Sequence, residues 1–142
     1  MKTMGHFLAE NNRQVFSVQP DATVRNALEL LAQRNIGALL VMDGEALVGI
    51  FSERDYARKV ALKGLSSSDA HVREIMTADV ITVQARQTID ECMQIMTENH
   101  VRHLPIMEHQ LVVGLISIGD VVREMIAHQK TIIEQLHSYI AG

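Results

Sequence analysis

The sequence predicts an α+β fold made of two copies of one strand–helix–strand–strand–helix unit, packed about a pseudo-twofold axis. Three observations lead there. When the chain is laid on itself with a shift of 65 residues, Gly49 falls on Gly114, Ser52 on Ser117 and Asp55 on Asp120. The register then runs without a gap from Val15/Val80 to Val60/Met125, through identical pairs that include Val18/Val83, Gln19/Gln84, Thr23/Thr88, Leu39/Leu104, Met42/Met107, Val48/Val113 and Arg58/Arg123. Both copies also show the same succession of hydrophobic periods. A gapless match of this length marks a tandem duplication.

Each element follows from its residues. "VFSVQP" alternates apolar and polar side chains, is rich in β-branched residues and meets Pro20, so it reads as a short strand with a stop. In "ATVRNALELLAQRN" the residues Val24, Ala27, Leu28 and Leu31 recur at helical spacing on one face. The second copy repeats that face with Ile89, Cys92, Met93 and Met96, and Thr88 with Glu91 has the spacing of a capping box. "IGALLVM" and "ALVGIFS" are continuous apolar runs joined by "DGE", a hairpin signal with Asp43–Gly44 at the turn. A helix is expected after "GIFSERD" and again after "GLISIGD", the first closing at Gly64 as a C-cap. A unit of this size buries too little surface to be stable alone, so the two are expected to share a core. The expected organisation is an N-terminal extension (1–14), a first domain (15–66), a linker (67–79), a second domain (80–128) and a C-terminal helical extension (129–142).

Composition narrows the function classes. Of the 142 residues, 47% are hydrophobic and 21% charged, a globular balance. The net charge of −4 argues against general nucleic-acid binding, for which only Arg54, Arg58, Lys59 and Lys63 speak. One cysteine, Cys92, allows no intrachain disulfide and suits a reducing compartment. The N-terminus "MKTMGHFLAENNRQ" has no signal-peptide core, and no apolar run approaches the roughly 20 residues of a bilayer span. The expectation is a cytoplasmic protein that does not enter membranes.

The element order, the "VRHLPIM" strand at Val101 to Met107, and "GIFSERD" and "GLISIGD" in matching places together resemble the CBS domain, named after cystathionine beta-synthase. The pair resembles a Bateman module over about Val15 to Met125. The resemblance implies adenosine-containing ligands in clefts between the repeats: AMP first, with ADP, ATP or NAD as alternatives. It places Ser52 and Asp55, and Ser117 and Asp120, on a ribose. It directs Arg102 and His103, just before Leu104–Pro105, toward phosphates, with Ile36 and Val101 along the adenine and Ala38, Pro105 and Ile118 among the lining residues. The first copy departs from the pattern, having Gly37 and Ala38 in place of the basic pair and Leu40 in place of the proline, while Arg54 stands where the second copy has Gly119. The two sites are therefore expected to differ.

The chemistry of these residues suits the assignment. A carboxylate accepts two hydrogen bonds from vicinal ribose hydroxyls, and the N–H groups and dipole of a helix start favour a phosphate nearby. Ser-x-x-Asp at a helix start is equally the spacing of a capping box, so the residues leave cap and binding site both open.

Other candidates carry less. His100, His103 and His109 lack a Cys or carboxylate at zinc-like spacing, so no metal is expected. Cys92 aligns with Ala27 on the buried helix face and reads as a small core residue. No Ser-His-Asp order, P-loop or paired-carboxylate site is present, and no catalysis is expected. After Asp120 the chain continues as "VVREMIAHQKTIIEQLHSYIAG", with Val122, Met125, Ile126, Ile133, Leu136 and Ile140 at helical spacing. A protruding amphipathic helix calls for a partner surface, and the expectation is a homodimer, against a tail folded back on "MGHFLAE". Two functions stand: a ligand sensor reporting to an unidentified regulated protein, or a structural interaction module that binds no nucleotide.

Overall fold

The computed structural model describes residues 1–64, 66 and 68–141. Ser67, where the expected linker begins, and Gly142, at the end of the expected tail, lie outside them. The chain forms two compact units, Gln14–Ile81 and Met1–Arg13 with Thr82–Gly142.

In the first unit, β1 (Ser17–Val18) lies parallel to β2 (Ala38–Asp43), which pairs antiparallel with β3 (Ala46–Ser52). The helix α2 (Val24–Arg34) connects β1 to β2, started by the Thr23 hydroxyl accepting from the Asn26 N–H and closed by Asn35 in the left-handed conformation, φ 53°. Val24, Ala27 and Leu31 are buried with Leu39, Val41, Phe51 and Val60 in one core. After β3 the chain makes a single α-turn, α3 (Glu53–Asp55), and then widens into a π-helix over Tyr56–Ala61. Gly64 sits beyond it at φ +70°, a conformation that favours glycine.

The second unit repeats the design. β4 (Val83–Gln84) runs parallel to β5 (His103–Glu108), and β5 pairs antiparallel with β6 (Leu111–Ser117). The intervening α5 (Ile89–Asn99) carries the Thr88/Glu91 capping box, buries Ile89, Cys92 and Met96, and ends at His100 in the left-handed region, φ 56°. Both sheets shift register at matching places, Val41/Met42 and Ile106/Met107. Pro105 occupies the place where the Leu40 N–H donates to the Phe16 carbonyl in the first sheet, at 3.2 Å. Lacking an N–H, it lies just past the two-residue pairing of β5 with β4.

Both hairpins turn in two residues. Gly44 and Glu45 form the first, with Gly44 at φ 62°, and His109 and Gln110 form the second at φ 51° and 66°. Positive φ at both residues of the second turn, and at the glycine that opens the first, are the geometries that match strand twist in tight hairpins.

Each repeat is completed by a segment from outside the matched stretch. In the first unit α4 (Val72–Ile75) lies within the expected linker and is tied to the start of α2 through Val24 N–H to Ala70 O and Val72 N–H to Ala22 O. Thr77 then exchanges both backbone bonds with Ile50 of β3, at 2.9 and 3.0 Å. In the second unit α1 (Met4–Glu10) does the same work: Met4 N–H donates to Gln87 O, Gly5 N–H to Ala85 O, and the Ile89 N–H to Lys2 O. Met4 and Phe7 are buried there as Val72 and Ile75 are in the first unit. Gly49 and Gly114 lie under these segments, where an added Cβ would overlap Met76 and Leu8 respectively.

The last helix, α6 (Ile118–Ala141), has 24 residues, about 36 Å of rise. Its first half touches its own unit, with Val121 buried and Glu124 paired to Lys2 at 2.7 Å. From residue 129 to 141 every residue is exposed. Among the described residues no helix is long and apolar enough to cross a membrane.

Candidate functional site

In both repeats the sequence brings a hydroxyl and a carboxylate together at the end of the third strand. Ser52 closes β3 and Asp55 lies one turn on; the Ser52 N–H and hydroxyl both donate to Asp55 Oδ2 at 3.0 Å, and the Asp55 N–H donates back to Ser52 Oγ at 3.1 Å. Ser117 and Asp120 reproduce this with 2.9, 2.9 and 3.2 Å. These are reciprocal caps, so the capping role is real in both copies. Each cap consumes Oδ2 and leaves Oδ1 to other groups.

The strand that faces each turn brings the other expected residues to it. Ala38 pairs with Ser52 across β2 and β3, and the Glu53 N–H donates to the Gly37 carbonyl at 3.1 Å. His103 pairs with Ser117 across β5 and β6, and the Ile118 N–H donates to the Arg102 carbonyl at 2.8 Å. Ile36 and Val101 are half-buried immediately after the left-handed caps of α2 and α5, each donating its N–H into the last helical turn. Pro105 is buried in the middle of β5 with its neighbours Leu104 and Ile106, two residues from the turn's strand partner. Arg54 is half-buried beside Asp55, and Arg102 is exposed.

The surroundings of the two carboxylates differ. Asp55 Oδ1 accepts from the Thr77 hydroxyl at 3.0 Å and faces Lys59 Nζ at 3.3 Å, while Lys59 also donates to the Ile75 carbonyl at 3.0 Å. Asp120, only 5% exposed, is the sole buried charged side chain among the described residues. Arg123 donates to its Oδ1 at 2.6 Å and Arg13 pairs with its Oδ2 at 2.9 Å. Burial works to raise the Asp120 pKa, but the hydrogen bond from Arg13 and those from the Ser117 N–H and hydroxyl outweigh it, so the carboxyl is held below its ordinary value.

Thr77, Lys59, Arg13 and Arg123 were not among the residues expected at the sites. Arg123 carries a signal, since Arg58/Arg123 is an identical pair in the repeat register, and Lys59 stands out in the sequence only as part of a basic stretch. Arg13 and Thr77 sit outside the matched register, in segments without regular hydrophobic pattern. Among the described residues no group of three or more His, Cys, Asp or Glu could hold a metal ion. Cys92 is fully buried, and burial pushes its thiol pKa up to about 11, which suits packing rather than reactivity.

This arrangement offers paired hydroxyl and carboxylate groups at a helix start, twice, with cations against each carboxylate. The CBS domain family matches the chain at residues 9–62 and 72–127. The CBS domain-containing protein CBSX3, mitochondrial, of Arabidopsis thaliana is 39% identical over 127 residues, covering 86% of this chain. The chain spans 62% of the length of that relative. The crystal structure of the CBS domain protein NE2398 is similar at 47% identity and a TM-score of 0.85, covering 89% of this chain and 99% of that one. A protein with CBS domains from Burkholderia ambifaria MC40-6 is similar at 48% identity and a TM-score of 0.81, covering 84% and 88%. The chain belongs to the CBS domain family: it carries two CBS domains in tandem, and such pairs are regulatory rather than catalytic modules.

Proposed function

We propose that the chain senses adenosine-containing ligands, AMP first and ADP, ATP or NAD as alternatives, and passes their occupancy to a regulated protein. The observation that carries this reading is the Ser-x-x-Asp turn itself, present in both repeats at a helix start and faced by the first residue of the neighbouring strand. Ribose hydroxyls donate, and each carboxylate has an oxygen beyond the one used by its cap. Asp55 and Asp120 would take the ribose, and Arg102, His103 and Arg54 the phosphate side, at a helix N-terminus whose dipole favours an anion. The CBS domain pair of protein MJ0100, whose likeness to this chain (24% identity, TM-score 0.73) is one of fold, was solved in complex with 5'-methylthioadenosine and S-adenosyl-L-methionine.

The seam on α6 supports a homodimer as the assembled form. Val122, Ile126, Gln129, Ile133, Leu136 and Ile140 alternate spacings of four and three, the pattern of a helix that pairs with another, and its five apolar members are exposed. A reducing, cytoplasmic setting fits the single buried thiol. The alternative, an interaction module that binds no nucleotide, is favoured by one observation: protein groups already satisfy both carboxylates.

Thermal unfolding with added nucleotides separates the two. A ligand at 100 times its dissociation constant adds about 2.7 kcal/mol of stability, several degrees for a chain of this size. AMP, ADP, ATP or NAD is expected to raise Tm while GTP and CTP do not. Equal shifts for all, or none for any, would leave the interaction module as the better reading.

A further inference from the structure

Asp120 is the one carboxylate in the described chain that two arginines close over. Arg13 comes from the end of the N-terminal segment, its guanidinium 5.4 Å from the centre of the Phe7 ring, and Arg123 comes from the first turns of α6. The two guanidinium groups are outward-reaching, with side chains 53% and 70% exposed, whereas the carboxylate between them is 5% exposed. At Gly119 an added Cβ would make only ordinary contacts, 3.5 Å from Arg123 Nη1 and 3.7 Å from Ser117 Oγ. The first repeat has Arg54 at that position, and the segment matching Arg13's supplies the neutral Thr77 hydroxyl instead.

A ribose that takes Asp120 must compete with these cations for the same oxygens. A neutral nucleoside supplies hydroxyl donors but returns no anion to the displaced guanidinium. A phosphorylated ligand returns one, and guanidinium is the group best shaped to receive it, by paired N–H donors. Exposure of the two side chains lets them swing without burying charge. Arg13 therefore acts as a cover on the unliganded carboxylate and as a phosphate donor once the ribose is in place.

We infer that Arg13 makes the second repeat selective for phosphorylated adenosine compounds over uncharged ones, an assignment that rests on the nucleotide reading proposed above. The two repeats then differ in kind: the first holds its carboxylate with a hydroxyl and a lysine already bonded to the Ile75 carbonyl, and discriminates less by ligand charge.

The test is calorimetric titration of adenosine and of AMP into the full chain carrying Asp55→Asn, which mutes the first site, with and without Arg13→Gln. With Arg13 present AMP is expected to bind about tenfold or more tightly than adenosine, the scale of one charge-assisted hydrogen bond. Arg13→Gln should reduce that ratio, with Arg102 and His103 still on the phosphate side, by weakening AMP while leaving adenosine equal or tighter, since the cover is gone. A merely structural arginine would weaken both ligands together, and that result, or an unchanged ratio, overturns the inference. Adenosine and AMP binding with equal affinity while Arg13 is present overturns it too and leaves the nucleotide reading standing. No binding of either compound overturns the inference, and titration of AMP into the unsubstituted chain then tells whether the nucleotide reading stands through the first site.

Discussion

Replacing Gly49 by alanine would place a Cβ 2.5 Å from Met76 Sδ, 2.9 Å from Met76 Cγ and 3.1 Å from the Thr77 carbonyl oxygen. The methionine end is flexible and can yield, but the Thr77 carbonyl is fixed by its bond from the Ile50 N–H. Overpacking of this kind costs about 1–3 kcal/mol, and the entropy an alanine removes from the unfolded chain returns about 0.4–1 kcal/mol. The net expectation is a loss of about 1–2 kcal/mol, which lowers Tm by roughly 3–8 °C for a chain of this length. Thermal unfolding followed by circular dichroism measures it directly. A second variant, Gly49→Ala with Met76→Ala, removes the two nearest atoms and should recover part of the loss, giving a coupling of at least about 0.5 kcal/mol. An unchanged or raised Tm would contradict an integral role of the segment after α4 in the first repeat. Strictly additive effects would refute it too.

The depressed pKa of Asp120 fixes the sign of an acid effect. Its folded value lies below the ordinary value of 3.8, so the carboxylate contributes stability that is present above about pH 4 and lost as pH falls through the folded value. Urea unfolding between pH 5 and pH 2.5 should therefore steepen at the acid end, and Asp120→Asn should flatten it; equal slopes would contradict the pairing with Arg13 and Arg123. Ending the chain after His128 removes Ile133, Leu136 and Ile140, and light scattering should then find a monomer where the full chain gives a dimer. A full chain that is monomeric at micromolar concentration would rule out the α6 seam as a self-association surface.

The repeat made most of the fold legible. Period-3.6 faces pointed to α2 and α5, because Val24, Ala27 and Leu31 and their counterparts Ile89, Cys92 and Met96 face a core. The glycine of "DGE" marks the first hairpin, and the second was legible only through the repeat, because His109 and Gln110 adopt positive φ without glycine. The π-helix over Tyr56–Ala61 left no trace in "YARKVA", since its i to i+5 bonding is a tertiary outcome and the matching stretch of α6 stays α-helical. At the sites, Ser52, Asp55, Ser117 and Asp120 were readable because local spacing alone brings them together. Arg13 and Thr77 were not, since their contacts span 107 and 22 residues, and short polar segments carry no periodic signal for such closure. The helical nature of Met4–Glu10 was equally obscure, its buried face being only Met4 and Phe7.

The function of the chain depends on whether the repeated Ser-x-x-Asp turns bind a ribose or only cap a helix. Titration of AMP into the chain and into its Asp55→Asn and Asp120→Asn variants, beside thermal unfolding of each, decides it. Asparagine still caps a helix start but loses the charge and one of the acceptors a diol would use. At least one variant is predicted to lose about 1.5–3 kcal/mol of binding free energy, well beyond the roughly 1 kcal/mol of stability that a weakened cap costs. Unchanged AMP affinity in both variants would mean that the turn is repeated for the fold alone.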